Sequence, residues 1–289
     1  MHSPARRPTR ATLLLAAVLG SLAVLLILGW DQAQMVTGLG LPERTGAPML
    51  IVAHRGNTAA FPEDTAEAVW DAATRGVDGI EFDVHQSADG TWWLIHDSSV
   101  DRTTDGTGLV SALPDIELDG LHIDAGRGFE PARHAGMRLS RLSTVLDGLG
   151  EFPGDLYVDL QHAIEADPAD LAEILAGTRS TVICRDLDDA RRIEGVDPGL
   201  RTLLLADRLE GGEGVDAVFL EAVGEATVGR VASHRLRVVT YMDDRYSHFP
   251  QDVILRRAWA AGVSAFIARD LVPGLEQRDR LEEGRMLQP

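Results

Sequence analysis

The stretch GIEFDVHQSADGTWWLIHD, residues 79–97, decides how the chain is built. A strand period of two puts Glu81, Asp83 and His85 on one face of its first run and Ile80, Phe82 and Val84 on the other. Asp89-Gly90 then precedes a second β-patterned run, TWWLIHD, and Asp-Gly between two such runs signals a hairpin. TWWLIHD is therefore expected to be an antiparallel excursion. Setting it aside leaves eight strand candidates: MLIVAH, GIEFDVH, LYVDLQ, TVICR, RTLLLA, AVFLEA, LRVVTYM and SAFIARD. Helical patterns such as TAEAVWDAATRG, ADLAEILAG, DDARRI, EATVGRVASHR and QDVILRRAWAAG fall between them, several ending at Gly. Eight βα alternations predict an α/β fold of the (β/α)8 TIM-barrel type, with a small insertion after strand 2. A doubly wound open sheet is the runner-up. The Gly-rich span from Ser98 to about Ser140 has no clear period and is long for a connection, which points to function or disorder.

The 289 residues, 45% of them hydrophobic, suffice for one large core. A net charge of -18 argues against a nucleic-acid partner. All 27 basic residues are Arg, and the single Cys184 excludes an internal disulfide framework. Near the start, Arg6, Arg7 and Arg10 precede an uncharged apolar run from Ala11 to Trp30. Twenty helical residues rise ~30 Å, the thickness of a bilayer core. The run is long for a cleavable signal, and Asp31 spoils the A-x-A-like site before Ala33. An uncleaved anchor is expected, with a signal peptide and secretion as the alternative. The reading is residues 1–10 cytoplasmic, 11–30 transmembrane, 31–47 a linker and 48–289 the barrel. The arginines stay inside, so the barrel lies outside the cytoplasm, held at the cell membrane by a single pass.

Two carboxylates on one face of a buried strand repel unless a cation neutralises them. Oxygen ligands of this kind suit Ca²⁺ or Mg²⁺, against the alternative of pairing with Arg. His54-Arg55 ends the first strand, His96-Asp97 ends the hairpin, and Asp159 lies on one face of LYVDLQ with Tyr157 and Gln161. In a parallel barrel these strand ends converge on one rim. Two histidines can act as base and acid near neutrality, and Arg55 suits a phosphate. That inventory points to metal-assisted attack on an anionic ester. No P-loop, dinucleotide or nucleophile-elbow motif competes with it.

HRG followed by PEDT, and then GVDGIEFDVHQSADGTWWLIHDSSVDRTTDGTG, closely resembles the glycerophosphodiester phosphodiesterase family. The likeness is dense over about residues 50–126; from 127 to 270 only the strand and helix rhythm fits. It implies a (β/α)8 barrel with an insertion after the second strand. By position, the resemblance makes His54 and His96 the acid/base pair and assigns Arg55 and Glu63 to the phosphate. Glu81 and Asp83 match ligands of a divalent cation, usually Ca²⁺ or Mg²⁺. The family's third ligand is a Glu in an E-x-K pattern, replaced here by Asp159-Leu160-Gln161, so Asp159 becomes the third ligand and Gln161 a substrate contact without the charge. Asp64 stands where Asn is usual. The implied activity is hydrolysis of glycerophosphodiesters to sn-glycerol 3-phosphate and an alcohol, through the substrate's own hydroxyl and a cyclic phosphate. A lysophospholipase D or other lipid or cell-wall phosphodiesterase is one alternative, for which TWWLIHD could offer an aromatic lip, although its tryptophans read more readily as core. A non-catalytic barrel that has lost its metal is the other.

Overall fold

The computed structural model describes residues 49–124, 136–161, 168–185, 187–205, 217–220, 237–241 and 264–282. The expected membrane helix, the linker and the helical patterns EATVGRVASHR and QDVILRRAWAAG lie outside them. Among the described residues no helix is long and apolar enough to cross a membrane.

All eight predicted barrel strands are present: β1 Leu50–His54, β2 Gly79–Gln86, β5 Asp155–Leu160, β6 Ser180–Cys184, β7 Arg201–Leu205, β8 Ala217–Leu220, β9 Arg237–Tyr241 and β10 Ala265–Ala268. They pair in parallel in the order β1-β10-β9-β8-β7-β6-β5-β2, and a further β1–β2 pairing closes the ring. A closed ring leaves no free edge, which separates the barrel from the open-sheet alternative.

TWWLIHD supplies β3, Trp92–Leu94, antiparallel to β2 as expected. The turn is wider than Asp89-Gly90 alone implies: Ser87 N–H donates to the Thr91 carbonyl at 2.9 Å, and Gly90 sits inside that loop at φ +89°. A third short strand, β4 Ser140–Arg141, also joins the excursion, antiparallel to β3. Two residues carry no readable period, so the sequence gives no sign of it. The excursion has its own core of Trp93, Ile95, Val100, Val110, Leu118 and Leu139. Trp92 and Trp93 are both buried, so the aromatic lip is not there. Asp115, which opens the short helix α2 Asp115–Leu118, accepts from Ser87, Thr91, Trp93 and Arg141 and ties the excursion together.

Helices α1 Ala66–Ala73, α3 Leu142–Leu149, α4 Pro168–Leu175 and α5 Leu187–Val196 alternate with strands, and α6 Leu271–Glu282 follows β10. The period of two in β2 divides its side chains as expected. Ile80, Phe82 and Val84 pack with Val69 and Ala72 of α1 in the helix-side core. A smaller cluster of Val52, Tyr157, Ile183, Leu203, Ala265 and Ile267 joins the barrel strands. Tyr157 shares its strand face with Asp159, so apolar layers lie beneath an acidic one.

Candidate active site

The acidic layer is set by register. Asp83 lies opposite Asp159, and His54 opposite Glu81. Ligand oxygens of Glu81, Asp83 and Asp159 all fall within 4.8 Å of one another, and all three residues are buried. In this metal-free arrangement burial and then Asp83 raise the Glu81 carboxyl well above its ordinary range. Burial and Asp83 likewise push Asp159 up to about 7, against the pull of Arg185 and Arg55. Such a cluster is costly without a counter-charge.

The loop after β1 supplies part of that charge. Arg55 has φ +54°, unusual for a residue with a side chain. Its backbone N–H donates to Glu81 Oε2 at 2.9 Å, while its guanidinium reaches Asp83 and Glu63 at 2.8 and 2.9 Å. Gly56 follows at φ +81°, and a Cβ there would stand 2.5 Å from the Ala68 backbone carbon. Only glycine allows the loop to lie this close to α1. Asn57 N–H donates to the Ala68 carbonyl, and its side-chain amide to Asp71. The loop ends at Asp64, φ +55°, whose N–H donates to the Arg55 carbonyl and whose Oδ1 accepts from Asp83 N–H at 3.0 Å. Burial opposes the charge on Arg55, but Asp83, Asp64, Glu81 and Glu63 outweigh it and raise its pKa.

The ion pair between Arg55 Nε and Asp83 Oδ2 is close but misaligned: neither buried atom has a hydrogen-bond partner. Asp64 Oδ2 is likewise orphaned. Carboxylate oxygens this deep are normally satisfied. An orphaned Asp83 oxygen beside two further buried carboxylates is what a hard divalent cation would complete, so the residues present fit such an ion.

Both histidines stand at this end of the barrel. His54 is buried, and burial, then Arg55, Arg269 and His96, lower its pKa well below the ordinary value. His96 is held from two sides. His85 Nε2 meets the His96 backbone carbonyl at 3.0 Å, and Asp97 Oδ1 meets His96 Nδ1 at 2.7 Å. Arg102 then binds both Asp97 and Glu63 at 2.6 Å, linking His96 to the Arg55 loop. Hydrogen bonding from Arg102 is the largest influence on Asp97 and keeps it well below the usual carboxylate range.

On the opposite side, Gln161 donates its amide to Asp83 Oδ1 and accepts from Arg185 at 2.9 Å. Arg185 also lies 3.2 Å from Asp159. The structure thus brings together all eight residues singled out in the sequence: His54, Arg55, Glu63, Glu81, Asp83, His96, Asp159 and Gln161. It adds His85, Asp97 and Arg102 as supports, and Arg185. His85 was visible as the third residue on the Glu81 face, and Arg102 as the cation nearest His96 downstream. Arg185 directly follows β6 as Arg55 follows β1, so the strand-end rule could have found it.

Residues 54–190 match the glycerophosphoryl diester phosphodiesterase family. That segment, which is similar to this family, holds both histidines and all three acids. A glycerophosphodiester phosphodiesterase of Caldanaerobacter subterraneus subsp. tengcongensis is 41% identical over 120 residues, covering 41% of this chain and 48% of the relative. The chain thus spans about half the length of the curated relative it matches. Among solved structures, a glycerophosphodiester phosphodiesterase from Agrobacterium tumefaciens superposes with TM-score 0.64 at 26% identity, over 79% of this chain and 99% of the other. A phosphodiesterase of Oleispira antarctica, solved with its product sn-glycerol-3-phosphate, gives TM-score 0.69 at 16% identity, over 80% and 97%. At that identity the second likeness concerns the fold alone. Within the glycerophosphodiester phosphodiesterase family pattern set out above, this chain keeps both histidines and two of the acids. It departs at Asp159 and Gln161, and Arg185 now stands beside both.

Proposed function

We propose that the protein is a divalent-cation-dependent phosphodiesterase that hydrolyses glycerophosphodiesters to sn-glycerol 3-phosphate and an alcohol. One observation carries the reading: three buried carboxylates converge with an orphaned oxygen, beside a guanidinium and between two histidines. Similarity of residues 54–190 to the family, and 41% identity over 120 residues to a glycerophosphodiester phosphodiesterase, support the substrate class.

Glu81, Asp83 and Asp159 would hold the ion, whose contribution when bound is to polarise the phosphodiester and spread its charge. Arg55 neutralises the anion from the side of the first strand. His54, kept neutral by burial and neighbouring arginines, is in the form that accepts a proton and serves as base toward the attacking hydroxyl. A cation bound nearby would lower its pKa further, in the same direction. His96, with Asp97 on Nδ1, presents its other nitrogen to the leaving alcohol as the acid. Glu63 joins the two halves by pairing with both Arg55 and Arg102. Asp159 is one methylene shorter than the Glu of the family pattern. Its place opposite Asp83 in the β2–β5 register supports its serving as the third ligand.

Release of sn-glycerol 3-phosphate from glycerophosphocholine and glycerophosphoethanolamine tests the scheme. His54→Ala and His96→Ala should each lose at least about 10²-fold in kcat while melting within a few degrees of the parent. Wild-type turnover persisting in both variants would sink it. Anchoring of the barrel outside the cytoplasm by residues 11–30 is part of the same proposal, supported by the length and flanking arginines of that run.

A further inference from the structure

We propose that Arg185 is an anion-binding residue of this site, which turns its guanidinium to the phosphodiester oxygens when a divalent cation takes Asp159. The inference rests on the diesterase reading. It starts from position: Arg185 directly follows β6, whose Ile183 lies opposite Asp159 on β5, so its side chain begins at the same barrel end as the acids.

Its contacts are partly spent and partly not. Nη2 lies 3.3 and 3.2 Å from the two Asp159 oxygens and 2.9 Å from Gln161 Oε1, while Nε is 3.3 Å from the Leu160 carbonyl. Nη1 makes no hydrogen bond among the described residues. The side chain is 33% exposed, against 10% for Asp159, so the cation stands between the buried acids and solvent. Contacts of 3.2–3.3 Å are long for a guanidinium–carboxylate pair. The shortest contact goes to Gln161, which relays it. With its carbonyl oxygen accepting from Arg185, Gln161 can aim only its NH₂ at Asp83. Arg185 and a divalent cation therefore compete for the same carboxylate, and Coulomb's law favours the doubly charged ion. A guanidinium displaced from Asp159 but still tethered through Gln161 stays beside the place where the anionic ester must sit.

Competition and anion binding predict effects of opposite sign. Calorimetry of full-length protein in mild detergent would measure Ca²⁺ binding to the stripped protein, then sn-glycerol 3-phosphate binding to the Ca²⁺-loaded protein. Arg185→Ala should bind Ca²⁺ as tightly as wild type or tighter, yet lose about 10- to 100-fold in affinity for sn-glycerol 3-phosphate, the worth of a charge-assisted contact. Arg185→Lys keeps the charge without the fork, so it should fall between and serves as the folding control. KM for glycerophosphocholine should rise with the loss of anion affinity. Weaker Ca²⁺ binding in Arg185→Ala, with unchanged anion affinity once loaded, would reduce Arg185 to a prop for Asp159 and overturn the proposal. So would a wild-type loaded protein that does not bind sn-glycerol 3-phosphate. Wild type that binds the anion in an Arg185-dependent way but cleaves no diester would refute the diesterase reading and still support Arg185 as its anion contact.

Discussion

At the scale of single residues, the site is governed by what happens to charges that cannot reach water. Asp159, Glu81 and Asp64 all have folded pKa values above their ordinary range, Asp159 at about 7. An unfolded chain releases these protons above about pH 4. Between about pH 4 and 7 these three acids therefore keep protons that the unfolded chain has lost. Their contribution to the stability of the metal-free fold thus falls as pH rises, against an opposite contribution from His54. Chelator-treated protein should accordingly melt at a higher temperature at pH 5 than at pH 8; a rise across that range would contradict the shifts. Ca²⁺ must displace the protons, so calorimetry at pH 6 in buffers of different ionisation enthalpy should report about one or more released per ion. Binding without proton release would mean the acids were already ionised. The acids and histidines were legible in the sequence because strand period and strand ends fix where they point. Arg185 also sits at a strand end, but its pairing with Asp159 depends on which strand neighbours β5, a fact of closure rather than of local pattern.

At the scale of elements, the first βα loop shows how geometry and chemistry are coupled. Gly56 at φ +81° sits against the Ala68 backbone, and this contact sets the course of a loop in which Arg55 takes the left-handed region. Gly56→Ala places a Cβ 2.5 Å from a backbone carbon that cannot swing aside. Unfolding in urea should show a loss of more than about 2 kcal/mol, from the strained φ together with the overlap. Diesterase activity should fall further than stability, because Arg55 loses its bond to Glu81. A variant of wild-type stability would mean the loop tolerates another path. Among the elements, the eight strands were readable from β-patterned runs of five to seven residues, and the excursion from Asp89-Gly90. β4 was not, since a strand of two residues exists only through its partner β3. The tryptophans of TWWLIHD were readable as core, and Trp92 and Trp93 are buried. Which core each would join was not readable: Trp92 packs in the helix-side core, and Trp93 in the separate core built with the long span after Ser98.

At the scale of the whole molecule, the closed ring brings together residues at the ends of the first four barrel strands and from the excursion, 131 positions apart from His54 to Arg185. A chain of net charge -18 repels anions at long range, so the local guanidiniums at the rim have to overcome that field. In the proposed scheme hydrolysis depends on a cation held by the three converging acids. Full-length protein stripped of metal, in mild detergent, would be titrated with Ca²⁺ and separately with Mg²⁺ while sn-glycerol 3-phosphate release from glycerophosphocholine is followed, with Glu81→Gln as the comparison. Release that is absent without metal, saturates with at least one of the two ions and is missing in Glu81→Gln is the predicted result. Turnover undiminished in the stripped protein, or restored equally in Glu81→Gln, would contradict it.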